Sequence, residues 1–215
     1  VDARSRSEIV RSVQEACAAG RFAQALRVAD AETERAPRDP EWHRWRASVL
    51  ADWGRLREAR QACETAAALG DDGIALAFLA GSIALREGDA RRAEDRMRAV
   101  LAREPDHPPA LLTLAIALYA QRRLAEAAAA FAKALAVNPG TFEAAHMLAN
   151  VEFERGDLPT AEAMLRRAIA IDPAQAVAWK DLAAVLTRAD RHDEALQAAA
   201  EGWTHDREHG DACGA

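Results

Sequence analysis

The chain has 215 residues, 28 basic and 34 acidic side chains and a net charge of −6; half its residues are hydrophobic, largely through alanine, and only 5% are aromatic. The acidity is uneven, with 18 basic and 19 acidic side chains in residues 1–107 against 10 and 15 in residues 108–215; no basic stripe exists, which argues against nucleic acid as the main partner. The longest apolar run, Ala110 to Ala120, is half of the roughly 20 residues a bilayer span needs, so membrane insertion is not expected.

Taken in order, the chain reads as six helical pairs of one length. After a polar lead in which Ser5 or Ser7 can cap a helix, residues 6–39 open with a polar helix over Glu8–Ala19. A solvated outer face of that kind suits a terminal unit. Residues 40–73 carry Trp42, Trp45 and Trp53, three of the five tryptophans. Trp42 is expected in the packing; Arg44 and Trp45 read as ligand contacts, given the enrichment of Trp and Arg at binding hot spots, and Trp45 reads equally as a bridge between units. Residues 74–107 pair an apolar first helix with a charged second one (Arg91, Arg92, Glu94, Asp95, Arg96, Arg98). Mixed signs of that density read as a solvated face.

Residues 108–141 show the unit most plainly. Leu111, Leu114 and Leu118, then Leu124, Ala127, Phe131 and Leu135 recur at three- and four-residue steps, the spacing of one helical face. This predicts helices over Ala110–Gln121 and Leu124–Val137, with an Arg122–Arg123 corner between them. Residues 142–175 carry Phe142, His146, Asn150 and Phe153 along their first helix, and residues 176–209 end in Gly202-Trp203-Thr204-His205.

The corners fall at Gly20, Gly54, Gly88, Arg122, Gly156 and Asp190, and five residues after each stands an alanine: Ala25, Ala59, Ala93, Ala127, Ala161, Ala195. The second helices end near Pro37, Asp71, Pro105, Pro139, Pro173 and Arg207. Seven residues before each corner sits a small or β-branched residue: Val13, Ala47, Gly81, Ala115, Ala149 and Ala183. Glycine takes a left-handed corner without a Cβ clash, small residues let helices approach, and proline ends a helix. One pair cannot bury its inner face alone, so the copies must stack.

A 34-residue helix–turn–helix period with these residues (Leu148-Ala149, Gly156-Asp157-Leu158, Ala161, Ala168, Pro173; Leu114-Ala115, Tyr119, Phe131, Ala134, Pro139; Trp179, Leu182-Ala183, Ala195) resembles the tetratricopeptide repeat family. The resemblance implies an all-α, right-handed superhelical solenoid of six repeats over residues 6–209, with residues 1–5 and 210–215 as flexible ends. It departs at Arg122 and Asp190, which replace the corner glycine, and at Asp71 and Arg207, which replace the terminal proline.

The resemblance also implies where a ligand lies: in a concave groove lined by the second, fifth, ninth, twelfth and thirteenth residues of each unit. On this sequence the candidate ligand-contacting residues are Arg44, Phe78, Tyr119, His146, Asn150, Phe153, Lys180 and Arg188. An extended segment or helix with apolar anchors and charged flanks fits that lining. His146 and Asn150 have the four-residue spacing of a carboxylate clamp, but Val177 and Asp181 stand where the clamp would continue, so a chaperone-tail clamp is not expected.

The expected role is a non-catalytic protein- or peptide-binding scaffold. Two alternatives stand beside it: a recognition arm of a larger enzyme, as in some glycosyltransferases and sulfotransferases, or a module that self-associates through uncapped ends. No phosphate loop, nucleophile elbow or His-Glu-x-x-His motif occurs, and no cofactor is implied. His205, His209 and Cys213 share a four-residue spacing, but Gly210 is expected to break the helix that would align them as metal ligands. Cys17, Cys63 and Cys213 sit in unrelated units and imply no disulfide; Cys63 reads as a small core residue. Val1 in place of an initiator methionine reads as a processed or excised segment that continues in the natural protein, and the compartment, cytoplasm or periplasm, stays open.

Overall fold

The computed structural model describes the backbone of residues 5–212 and the side chains of residues 5–205. Within them lie twelve α-helices and no strand. The chain divides into two compact units, one ending at Pro105 and one beginning at Asp106. The first holds α1 (Arg6–Ala18), α2 (Phe22–Arg35), α3 (Pro40–Asp52), α4 (Leu56–Ala68), α5 (Ile74–Arg86) and α6 (Ala90–Arg103). The second holds α7 (Pro108–Ala120), α8 (Leu124–Val137), α9 (Phe142–Arg155), α10 (Leu158–Ile171), α11 (Ala176–Arg188) and α12 (His192–Ala212). Within each unit every helix packs on the next in sequence.

Local chemistry sets the starts. Ser5 caps α1 through a capping box with Glu8, which pairs two otherwise unsatisfied donors. Asp39, Asp89, His107 and Asp157 accept from the first-turn amides of α3, α6, α7 and α10. Pro40, Pro108 and Pro159 sit in first turns, where the missing N–H costs nothing.

One hydrogen bond recurs at all six corners: the amide after the corner residue donates five residues back, from Arg21 to Ala16, Arg55 to Leu50, Asp89 to Ala84, Arg123 to Leu118, Asp157 to Glu152 and Arg191 to Leu186, at 2.8–3.1 Å. This closure requires a left-handed residue at the corner. Gly20, Gly54, Gly88 and Gly156 supply it, and Arg122 (φ 62°) and Asp190 (φ 60°) are driven into the same conformation without being glycine. The register therefore overrides the local preference at those two corners.

The alanines after the corners are the points of closest approach. Ala25, Ala59, Ala93, Ala127 and Ala161 have no exposed surface, and Ala195 is buried. Seven residues before the corners, Val13, Ala47, Gly81, Ala115 and Ala149 are buried opposite them, while Ala183 is half-buried. At Gly81 a Cβ would lie 2.9 Å from Arg96 Cβ as well as 2.2 Å from the Met97 methyl, so glycine lets α5 approach α6 where a side chain would force them to shift. In the first unit the core gathers Val13, Leu26, Val49, Leu50, Leu76 and Ile83; in the second, Phe131, Leu148, Leu165, Val185 and Leu186 are buried. Trp42 is buried under the Arg6 guanidinium, and Trp45 packs against the first unit's core with its indole N–H unpaired.

Three expectations change. The charged stretch of α6 is not a uniformly solvated face: Glu94 is buried and pairs with Arg98 at 2.8 Å. Without a terminal proline, α4 stops instead at a left-handed Gly70 (φ 98°). With Arg207 at the corresponding place, α12 does not stop there but continues to Ala212 as a 21-residue helix. Gly210 does not break it, because one glycine costs a helix only about 1 kcal/mol. His205 stacks on Trp179 at 6.0 Å; the side chain of His209 and all of Cys213 lie outside the described residues.

Relieving a strained corner should stabilise the chain. Asp190 makes no ion pair among the described residues, so Asp190→Gly should raise the unfolding free energy by about 0.5–1 kcal/mol. Urea denaturation compared with wild type measures it.

Candidate functional site

The first helices of neighbouring pairs are joined by side-chain contacts between residues 35 apart, one more than the repeat. In the second unit the Tyr119 hydroxyl on α7 donates to Glu154 on α9, and Arg122 donates to the same carboxylate at 2.6 Å. His146 on α9 meets Asp181 on α11 at 2.6 Å. The Arg188 guanidinium on α11 lies over the Phe153 ring at 4.9 Å and donates to the Phe153 carbonyl at 3.4 Å. In the first unit Arg86 on α5 donates to the Ala51 carbonyl of α3 at 2.7 Å. The contacts 35 apart are rungs between adjacent first helices, displaced by one residue, and Arg122 joins the first of them from the corner.

On α9, His146, Asn150 and Phe153 fall at i, i+4 and i+7 and so share one stripe. The His146 ring stacks on Phe142 at 5.6 Å. Asn150 is half-buried, and its amide makes no hydrogen bond among the described residues. Tyr119, His146, Asn150, Phe153 and Arg188 are thus carried on three helices linked by rungs. Lys180 is exposed on α11.

The first unit holds the other two candidates. Arg44 on α3 is committed within the protein: it pairs with Asp71 at 3.0 Å and reaches Glu41 at 3.8 Å. It ties α3 to the α4–α5 connection. Phe78 is half-buried on α5. In the same unit, burial pushes the Asp52 carboxyl up, against the Arg86 charge, and burial then Asp52 push the Cys17 thiol up. No group of three or more His, Cys, Asp or Glu side chains gathers for a metal among the described residues.

Family models of the tetratricopeptide repeat match residues 11–74, 84–151 and 152–212. The chain belongs to the tetratricopeptide repeat family. Its fold class is the all-α helical-repeat solenoid. Solved structures of similar fold include PilF of Pseudomonas aeruginosa (TM-score 0.79, 15% identity, 90% of this chain and 88% of that one). MamA of Desulfovibrio magneticus RS-1 follows (TM-score 0.71, 19% identity, 81% of this chain and 99% of that one). YrrB, described as a tetratricopeptide repeat protein with an unusual peptide-binding site, aligns with TM-score 0.66 and 18% identity over 79% of this chain and 88% of its own. Likeness at such identities concerns the fold alone. The comparison with curated proteins gave no match.

In this tetratricopeptide repeat chain, sequence reading alone missed Asp181 and Arg122 as partners of His146 and Glu154. For His146 the signal is arithmetic, a polar residue at i and its complement at i+35; Arg122 reaches Glu154 from the corner, 32 residues away. Asp181, which breaks a carboxylate clamp, is the residue that holds His146.

The Tyr119 hydrogen bond, and then Arg122, hold the Glu154 carboxyl below the usual carboxylate range; the same bond raises the Tyr119 phenol. A carboxyl depressed in the folded state adds stability above its unfolded value of about 4.3, and loses it as pH falls through the folded value. Tyr119→Phe should therefore melt at lower temperature than wild type at neutral pH, with the gap closing between about pH 5 and pH 3. Thermal melts followed by circular dichroism across that range test the linkage.

Proposed function

We propose that this chain is a non-catalytic scaffold that binds a protein or peptide segment on the surface of its first helices. One observation carries the reading. Asn150 presents a half-buried amide with no partner among the described residues, between His146 and Phe153, on a helix flanked by the Tyr119–Glu154 and Phe153–Arg188 rungs. An amide so placed can donate to and accept from a peptide backbone, while Phe153 and Tyr119 offer apolar surface and Lys180 and Arg188 offer charge. The peptide-binding site named for YrrB supports the same class of ligand. Arg44 and Phe78, on α3 and α5, are the candidate contacts of the first unit's own first helices.

A pulldown with this chain beside the Arg44→Ala/Tyr119→Ala/Asn150→Ala variant tests it. A protein caught by wild type and lost from the variant is expected; equal recovery by both would overturn the assignment of these residues. For an identified ligand, Asn150→Ala alone should weaken binding about tenfold, the cost of about 1.4 kcal/mol for a lost buried hydrogen bond.

Self-association is a second reading, favoured by α12: Leu196 and Trp203 are 71% and 61% exposed, two helical turns apart on one face. Light scattering should then show a concentration-dependent mass that Leu196→Ser/Trp203→Ser abolishes. A constant monomer mass removes this reading.

A further inference from the structure

A cavity of about 410 Å³ opens between the second helices α4 and α6, over a floor provided by α5. Its origin is a sequence substitution within the repeat. Cys63, Ala67 and Ala80 line it, and 68 residues later the same register positions hold Phe131, Leu135 and Leu148, all buried. Where the later pair fills its interior with three large side chains, this one leaves space. The floor is apolar: Cys63 and Val100 are buried, and Ala67, Ala77 and Ala80 complete it.

The rim is charged. It carries four guanidinium groups against three carboxylates, Glu64, Asp71 and Asp72. Glu64 is taken by Arg60 at 3.4 Å and Arg92 at 3.2 Å, and Asp71 by Arg44 at 3.0 Å. Arg103 donates to the Asp72 carbonyl at 2.6 Å. Arg96, standing where the filled pair has Met164, makes no ion pair or hydrogen bond among the described residues. Burial pushes the Cys63 thiol up to about 12, so it stays neutral and apolar at physiological pH. A second opening over α11, of about 350 Å³, is narrowed by Trp179 and rimmed by Arg166, Glu194 and Glu201, a balance that repels anions.

We propose that the α4–α5–α6 cavity binds a small amphipathic carboxylate, its hydrocarbon tail on the alanine floor and its carboxylate on Arg96. The volume is that of a small-molecule pocket, and the net positive rim selects the acid over a neutral or cationic head. The Arg44–Asp71 pair touches this rim, but Tyr119 and Asn150 lie in the other unit, so the Tyr119 and Asn150 variants test the peptide surface without disturbing this cavity and either proposal can fail without the other.

Titration calorimetry with sodium octanoate tests it, with octylamine and 1-octanol as head-group controls. Octanoate should bind wild type more tightly than either control. Arg96→Met, which installs the residue of the filled pair, should weaken octanoate about tenfold, the worth of one charge-assisted contact, and leave octanol unchanged. Ala67→Leu/Ala80→Leu, again copying the filled pair, should abolish binding of all three; if it fails to fold by circular dichroism, Ala67→Leu alone carries the test. No octanoate binding, equal binding by the filled variant, or octylamine binding as tightly as octanoate would each overturn the proposal.

Discussion

The left-handed corner, closed by an amide donating five residues back, is the constraint from which the rest follows. It fixes how each second helix returns along its first, and so brings a fully buried alanine against a small residue of the partner helix. Because the bond is identical at all six corners, it survives where the residue type opposes it. Arg122 and Asp190 show that the backbone geometry is imposed by packing on both sides of the turn rather than by glycine. Glycine makes that geometry inexpensive; the paired helix faces make it obligatory.

With the pairs so fixed, neighbouring first helices run alongside each other with a one-residue offset, and the i to i+35 rungs are the consequence. These rungs use side chains that are also among the proposed ligand contacts. Tyr119, Phe153 and Arg188 therefore already have partners within the protein. A ligand on the proposed surface would meet a preorganised lattice of rungs, and its side chains would compete with existing bonds except at positions such as Asn150. Preorganisation lowers the entropy lost on binding, while the occupied bonds raise selectivity, since only a ligand that replaces them well gains from contact.

Much of this was legible in the sequence. The 34-residue period located every corner, the alanine positions foretold the buried seam, and Ser5, Trp42 and Cys63 fell where their residue types suggested. Three things were not legible, each for a physical reason. Helix ends depend on competing stops, so the missing proline at Asp71 was answered by Gly70 while that at Arg207 was not answered, and α12 ran on. The burial of Glu94 depends on Arg98 one turn away, and a charge count does not reveal pairing. The His146–Asp181 contact depends on the one-residue offset between helices, which a repeat alignment of equivalent positions conceals.

Within each unit, helices touch only their immediate neighbours and the next first helix. Such a chain lacks the single enclosed centre through which a compact domain shares damage. Its folded state is a sum of local terms coupled only to the adjoining pair. Fraying that begins in α12 must cross each preceding seam in turn, and amide exchange should grade along the second unit accordingly. Cooperativity here is a property of seams, and one weakened alanine contact divides the unit into segments that open on their own.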